Sequence, residues 1–212
     1  MAGFTDVVRA LCAHLGITKL AAVVGIAGGG PSAVTMAARH PDLVERLILQ
    51  SAVGWVPWPQ RHIRIGAHLA LAAGTERATW ALLRVLLRVA PDLGLRLLLR
   101  ALSTLPVRQV VAALRPQDRT TLLALYQHMR SGHGFLNDLR ATPDVSADVR
   151  QPTLIVATRH DRGVPFTHAE AFAATIPHAT LVESVADSHL IWFGPDWPAI
   201  ADQIQSFLTT DV

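Results

Sequence analysis

The sequence predicts an α/β protein with a parallel sheet of about four strands, helices on both faces and an inserted helical block. Three observations carry this. Short apolar runs alternate with helix-period segments at both ends of the chain. A glycine-rich turn joins one such strand directly to a helix, and the middle of the chain has helical spacing alone. Strands alternating with helices imply βαβ units, which cross over right-handed. The expected division is a core of residues 1–54 and 143–212, with 55–142 inserted between two strands as a helical lid above the sheet.

The first helix starts near Asp6, where Val7, Val8, Leu11, Cys12 and Leu15 recur at three- and four-residue spacing, and Gly16 stops it. Leu20 to Val24 is apolar throughout, as a parallel strand buried on both faces should be. Ala27 to Arg39 reads as the next helix, with Pro31 in its first turn where a missing amide costs little, and His40-Pro41-Asp42 ends it. Val44 to Gln50 is the second strand. In the middle, 78–90 and 92–105 are Leu-rich helices, with Arg84 and Arg88, then Arg96 and Arg100, at i, i+4 on shared faces. The alternation resumes with strand 152–158, helix 168–176, strand 179–185 and a closing helix from Trp197 to Leu208.

Composition narrows the classes. The chain has 212 residues, 50% hydrophobic and 17% charged, which suits a sizeable core and argues against disorder. A lone Cys12 excludes an internal disulfide, and the first residues lack a basic patch followed by an apolar run, so the expected location is cytoplasmic. The formal charge of +3 is too small to specify a nucleic-acid partner. Ten Arg between Gln60 and Thr120 face only Glu76, Asp92 and Asp118, and helical spacing puts them on solvated faces. In the helical stretch 55–142 no run of eighteen residues lacks a charge, so stable membrane insertion is not expected. The ten His show no ligand spacing, and neither a P-loop nor a dinucleotide fingerprint is present, so no metal and no cofactor is predicted.

The informative segment is Gly25-Ile26-Ala27-Gly28-Gly29, which ends a strand and opens a helix. Strand, tight turn and helix are the setting of a nucleophile elbow, G-x-S-x-G, where side chains at the flanking Gly25 and Gly29 would collide with neighbouring backbone. The pattern is complete except at its centre, Ala27. Two further segments lie just past predicted strands: Arg159-His160-Asp161-Arg162-Gly163-Val164-Pro165, and Asp187-Ser188-His189.

These three motifs, in this order and continuing G-G-G-P-S-A into the helix, make the chain resemble the α/β-hydrolase family, specifically its lid-bearing, esterase-like serine hydrolases. The resemblance spans nearly the whole chain. It implies an acid at Asp161, a base at His189, an oxyanion-hole amide from Gly28 and a nucleophile at position 27. It also implies a small apolar ester or acyl compound as substrate, with Ile26, Ser51 and Trp55 expected to line the pocket.

Two departures accompany it. Ala27 has no nucleophilic atom, and removing the nucleophile of a serine hydrolase typically leaves a rate about 10⁶-fold lower. The sheet also reads as incomplete, because only about twenty residues precede the elbow strand, where the family usually has further strands and a second oxyanion amide. The expectation is therefore an inactive or weakly active hydrolase, a ligand-binding or interaction protein on the same scaffold, or a fragment of a longer active hydrolase. The elbow strand would be an apolar edge on which a second copy could pair to form a homodimer.

Overall fold

The computed structural model describes residues 2–58, 75–129 and 143–210. Eight α-helices and four strands occupy these residues, and they fall into two compact units, one from 1–56 with 142–212 and one from 57–141.

In the first unit, α1 (Ala2–His14) precedes β1 (Val23–Ile26), and a 3₁₀ turn (Ala27–Gly29) leads into α2 (Gly30–Arg39) and β2 (Leu47–Gln50). The ladder, more than hydropathy, sets the strand limits. Leu20 forms an isolated bridge to Val44, and continuous pairing begins only at Val23 opposite Leu47. The first strand thus lies later than the apolar run suggests, carried through Gly25 to Ile26 by pairing with Leu49 and Gln50.

In the second unit, α3 (Glu76–Val89), α4 (Pro91–Leu102), α5 (Val107–Ala113) and α6 (Pro116–His128) follow one another. Trp80, Leu87, Leu95, Leu99, Leu122 and Tyr126 are buried. Asp92 pairs with Arg119, and Asp118 takes two hydrogen bonds from Arg115. Asp92 and Asp118 therefore neutralise arginines inside the same unit. Arg88, Arg96 and Arg100 are exposed and Arg84 is half-buried, donating to the Gln127 carbonyl at 3.2 Å.

The first unit is completed by β3 (Thr153–Ala157), α7 (Thr167–Thr175), β4 (Ala179–Glu183) and α8 (Trp197–Thr209). All four strands are parallel in the order β1-β2-β3-β4. Alternation along β2 and β3 divides the core between the two faces. Leu47, Leu49, Ile155 and Ala157 pack with Val34 and Ala37 of α2 and with Phe172 of α7. On the other face, Ile48, Leu154 and Val156 pack with Ile200 of α8 and with Ile191. Cys12 is buried in the first of these cores, as its helix position predicts.

The second core does not reach β1. Val24 and Ile26, which share a face with Ile48, are 49% and 45% exposed. Among the described residues β1 is a sheet edge, paired only with β2. No helix of the described residues is long and apolar enough to cross a membrane.

Candidate active site

The site begins with the turn after β1. Ala27 has φ +48°, a left-handed conformation that costs a residue with a Cβ about 1–2 kcal/mol. Close packing around it holds this geometry. A Cβ on Gly25 would stand 2.8 Å from the Ala33 Cβ and 3.0 Å from a Leu49 methyl, and one on Gly30 would stand 2.2 Å from the Val53 carbonyl oxygen. The Ala27 carbonyl accepts from the Val53 amide at 2.8 Å, tying the turn to the chain leaving β2. These two glycines allow α2 to lie so close to the strand ends. The sequence-based expectation for Gly29 needs correction, because a side chain there meets nothing within 4 Å and the second close approach falls at Gly30. Gly28 lies inside the 3₁₀ turn, where opening amides have no intrahelical acceptor.

Asp161 and His189 come together because the loops that carry them leave the same ends of the adjacent strands β3 and β4. The His189 Nδ1 lies 2.6 Å from Asp161 Oδ2, and both side chains are buried. A carboxylate only accepts, so Nδ1 donates to it, and in the neutral ring Nε2 is then the acceptor, the form in which an imidazole can take a proton. The other oxygen, Asp161 Oδ1, accepts from the Val164 amide at 2.7 Å, which fixes the carboxylate from the chain just ahead of Pro165. Arg159 braces this loop from outside, with its guanidinium 4.3 Å from the Phe166 ring centroid and hydrogen-bonded to Glu183 at 3.1 Å.

The three residues expected to line a pocket have different surroundings. Ile26 is on the exposed face of β1. Trp55 packs edge-on against Phe172, ring centroids 6.2 Å apart. Ser51 is 1% exposed, and its hydroxyl donates to the His189 carbonyl at 2.9 Å. A mainly apolar cavity of about 330 Å³ does exist in this unit, but it lies between α1, β1 and α2, lined by Phe4, Val8, Val23, Val24, Ser32 and Met36 among others. None of the three borders it. Among the described residues no group of three or more His, Cys, Asp or Glu side chains could hold a metal ion.

One residue beside the site escaped sequence reasoning. His168, on α7 just past the loop that carries Asp161, is fully buried and accepts the Gly54 amide on Nδ1 at 3.0 Å. Burial pushes its pKa down to about 4. In sequence it stands in a helix-period segment, with no sign that its ring reaches the chain beyond β2.

A parallel sheet with a tight left-handed turn after one strand and a buried Asp-His pair on the loops after two others defines an α/β-hydrolase scaffold. The chain belongs to the alpha/beta hydrolase fold family, whose family model matches residues 1–195. It is similar to an uncharacterized hydrolase of Bacillus subtilis, YcgS, at 30% identity over 192 residues, covering 88% of this chain and 67% of the relative. It is also similar to the 2-hydroxymuconate semialdehyde hydrolase of Pseudomonas putida, at 30% over 159 residues, covering 75% of this chain and 52% of that protein. Among solved structures, an alpha/beta hydrolase fold protein from Nakamurella multipartita superposes with a TM-score of 0.77 at 24% identity, covering 96% of this chain and 74% of the other.

Proposed function

We propose that this chain is an esterase-like hydrolase of the α/β-hydrolase fold, suited to a small apolar ester or acyl compound, in which His189 is the base and Asp161 its orienting acid. Position 27 is the nucleophile position, and Ala27 leaves it without a reactive atom. The observation that carries the reading is the buried 2.6 Å contact between His189 and Asp161, in the same sheet as a left-handed turn at Ala27. An Asp-oriented imidazole with a free Nε2 can deprotonate a hydroxyl or a water molecule. With Ala27 in place only water is available, so turnover lies far below that of a serine esterase.

The test compares p-nitrophenyl ester turnover and fluorophosphonate labelling of the native protein and of Ala27→Ser. Restoring the hydroxyl is expected to raise turnover by about 10³-fold, less than the full contribution of a nucleophile because Gly28 is the one oxyanion donor assigned among the described residues. It should also create a labelled site that His189→Ala abolishes. An Ala27→Ser protein that is folded but inert to both reagents overturns the assignment. Activity of the native protein that disappears in His189→Ala would establish water activation as its chemistry.

A second reading has its own observation. The edge of β1, which among the described residues pairs only with β2, and the exposed Val24 and Ile26 favour an interaction role, in which a second copy pairs along that edge. Sedimentation across a concentration series distinguishes the two, since an edge-paired dimer dissociates on dilution and on a Val24→Lys substitution.

A further inference from the structure

We propose that Ser51 is a positioning residue that sets the orientation of His189; the inference rests on the reading of His189 and Asp161 as the acting pair. The register pairs Ile26 with Gln50, so Ala27 and Ser51 are the next residues at the ends of neighbouring strands. Both are left-handed, with φ of +48° and +46°. A residue with a Cβ rarely adopts that conformation, and at Ser51 the conformation aims a buried hydroxyl at the His189 carbonyl, 2.9 Å away. The Ser51 amide is meanwhile held by the Val156 carbonyl at 2.9 Å, so the donor stands on a fixed backbone between β2 and β3.

The neighbours of Ser51 extend the same clamp. Gln50 Oε1 accepts from the Trp192 indole at 3.0 Å, three residues after His189, and the Thr158 hydroxyl donates to the Ala186 carbonyl at 2.6 Å, three residues before it. The loop is thus held at three points by side chains at the ends of β2 and β3. Of these, only Ser51 touches the histidine residue itself. Fixing its carbonyl fixes the peptide plane beside the Cα, and with it the direction in which the imidazole leaves the backbone. Asp161 is anchored separately through Val164, and in a Ser51 variant the Ile191 amide, 3.0 Å away, remains as a donor to the His189 carbonyl, so the freedom gained at residue 189 is taken up in the contact between the two side chains.

The experiment uses the native Ala27 protein and needs no turnover. An imidazole N–H donated to a carboxylate over a short distance gives a proton resonance far downfield, and Asp161→Asn identifies it. In Ser51→Ala and Ser51→Gly this resonance is expected to broaden, with solvent exchange faster by about tenfold, the equivalent of one buried hydrogen bond. Ser51→Gly removes the hydroxyl while favouring the left-handed backbone, so it keeps the test open if Ser51→Ala unfolds. An unchanged resonance and exchange rate in a folded Ser51→Ala or Ser51→Gly protein overturns the positioning role. Absence of the resonance from the native protein overturns the pairing of His189 with Asp161, and the role of Ser51 with it.

Discussion

Lowering the pH should destabilise the fold through His168, and the structure gives both the sign and the size. The ring accepts the Gly54 amide on Nδ1, so only the neutral form fits, and its pKa is pushed from the ordinary 6.5 down to about 4. Between these values the unfolded chain holds a proton that the folded chain does not, so stability falls as the pH drops from about 6.5 towards 4. At about 1.4 kcal/mol per pH unit the whole interval amounts to about 3 kcal/mol, and partial resolvation of the protonated ring reduces this to about 2 kcal/mol. Other groups titrate in the same window, so the measurement is a difference between two proteins. Urea unfolding at pH 7.5 and 4.5 is compared with the same pair of measurements on His168→Asn, whose side-chain oxygen can accept from Gly54 without titrating. The variant should be less stable at pH 7.5, because it loses the buried ring, yet it should lose about 2 kcal/mol less on acidification. Identical losses in the two proteins would refute the account of His168 as a buried neutral acceptor.

Three neighbouring substitutions probe the turn by the same denaturation assay. Gly30→Ala should cost about 2–3 kcal/mol, because its Cβ would meet the Val53 carbonyl at 2.2 Å and backbone must move. Gly29→Ala, one residue earlier with open space around it, should change stability by less than about 0.5 kcal/mol. Ala27→Gly should be neutral to slightly stabilising, because relief of the left-handed backbone at φ +48° offsets the added freedom of the unfolded chain. A loss of about 1 kcal/mol there, as at an ordinary Ala→Gly site, would count against the strained turn.

The pairing of Asp161 with His189 was legible because both motifs follow strands that the alternating pattern identifies, and parallel neighbours put their loops at one end of the sheet. The turn at Ala27 was legible for a similar reason, since glycines between an apolar run and a helix leave few backbone paths. Which glycine does the work was not. Three in a row look alike, and only the approach of the Val53 carbonyl singles out Gly30 over Gly29. Strand limits were also hidden. In the segment Val44 to Gln50, Glu45 and Arg46 lie in the gap between the isolated Leu20–Val44 bridge and the continuous ladder, and the Arg46 guanidinium bonds to the Thr210 carbonyl at the far end of the chain. Ser51 and His168 carry contacts spanning 138 and 114 residues, a range at which local spacing has no information.

These contacts also explain how the scaffold holds its geometry with Ala27 at the turn. The turn is set by the packing at Gly25 and Gly30 and by the bond between Ala27 and Val53, all of which involve backbone or neighbouring residues and none the side chain at 27. The Asp-His pair is set by β3, β4 and the clamp from Ser51, again without reference to that side chain. A hydroxyl at position 27 therefore contributes chemistry and little architecture, so its absence gives no reason for the rest to relax. It follows that Ala27→Ser should fold with stability within about 0.5 kcal/mol of the native protein whether or not it gains activity. That separation is what makes the activity measurement decisive, because a silent Ala27→Ser protein of native stability would locate the deficit in the alignment of His189 or the oxyanion donors and not in the fold.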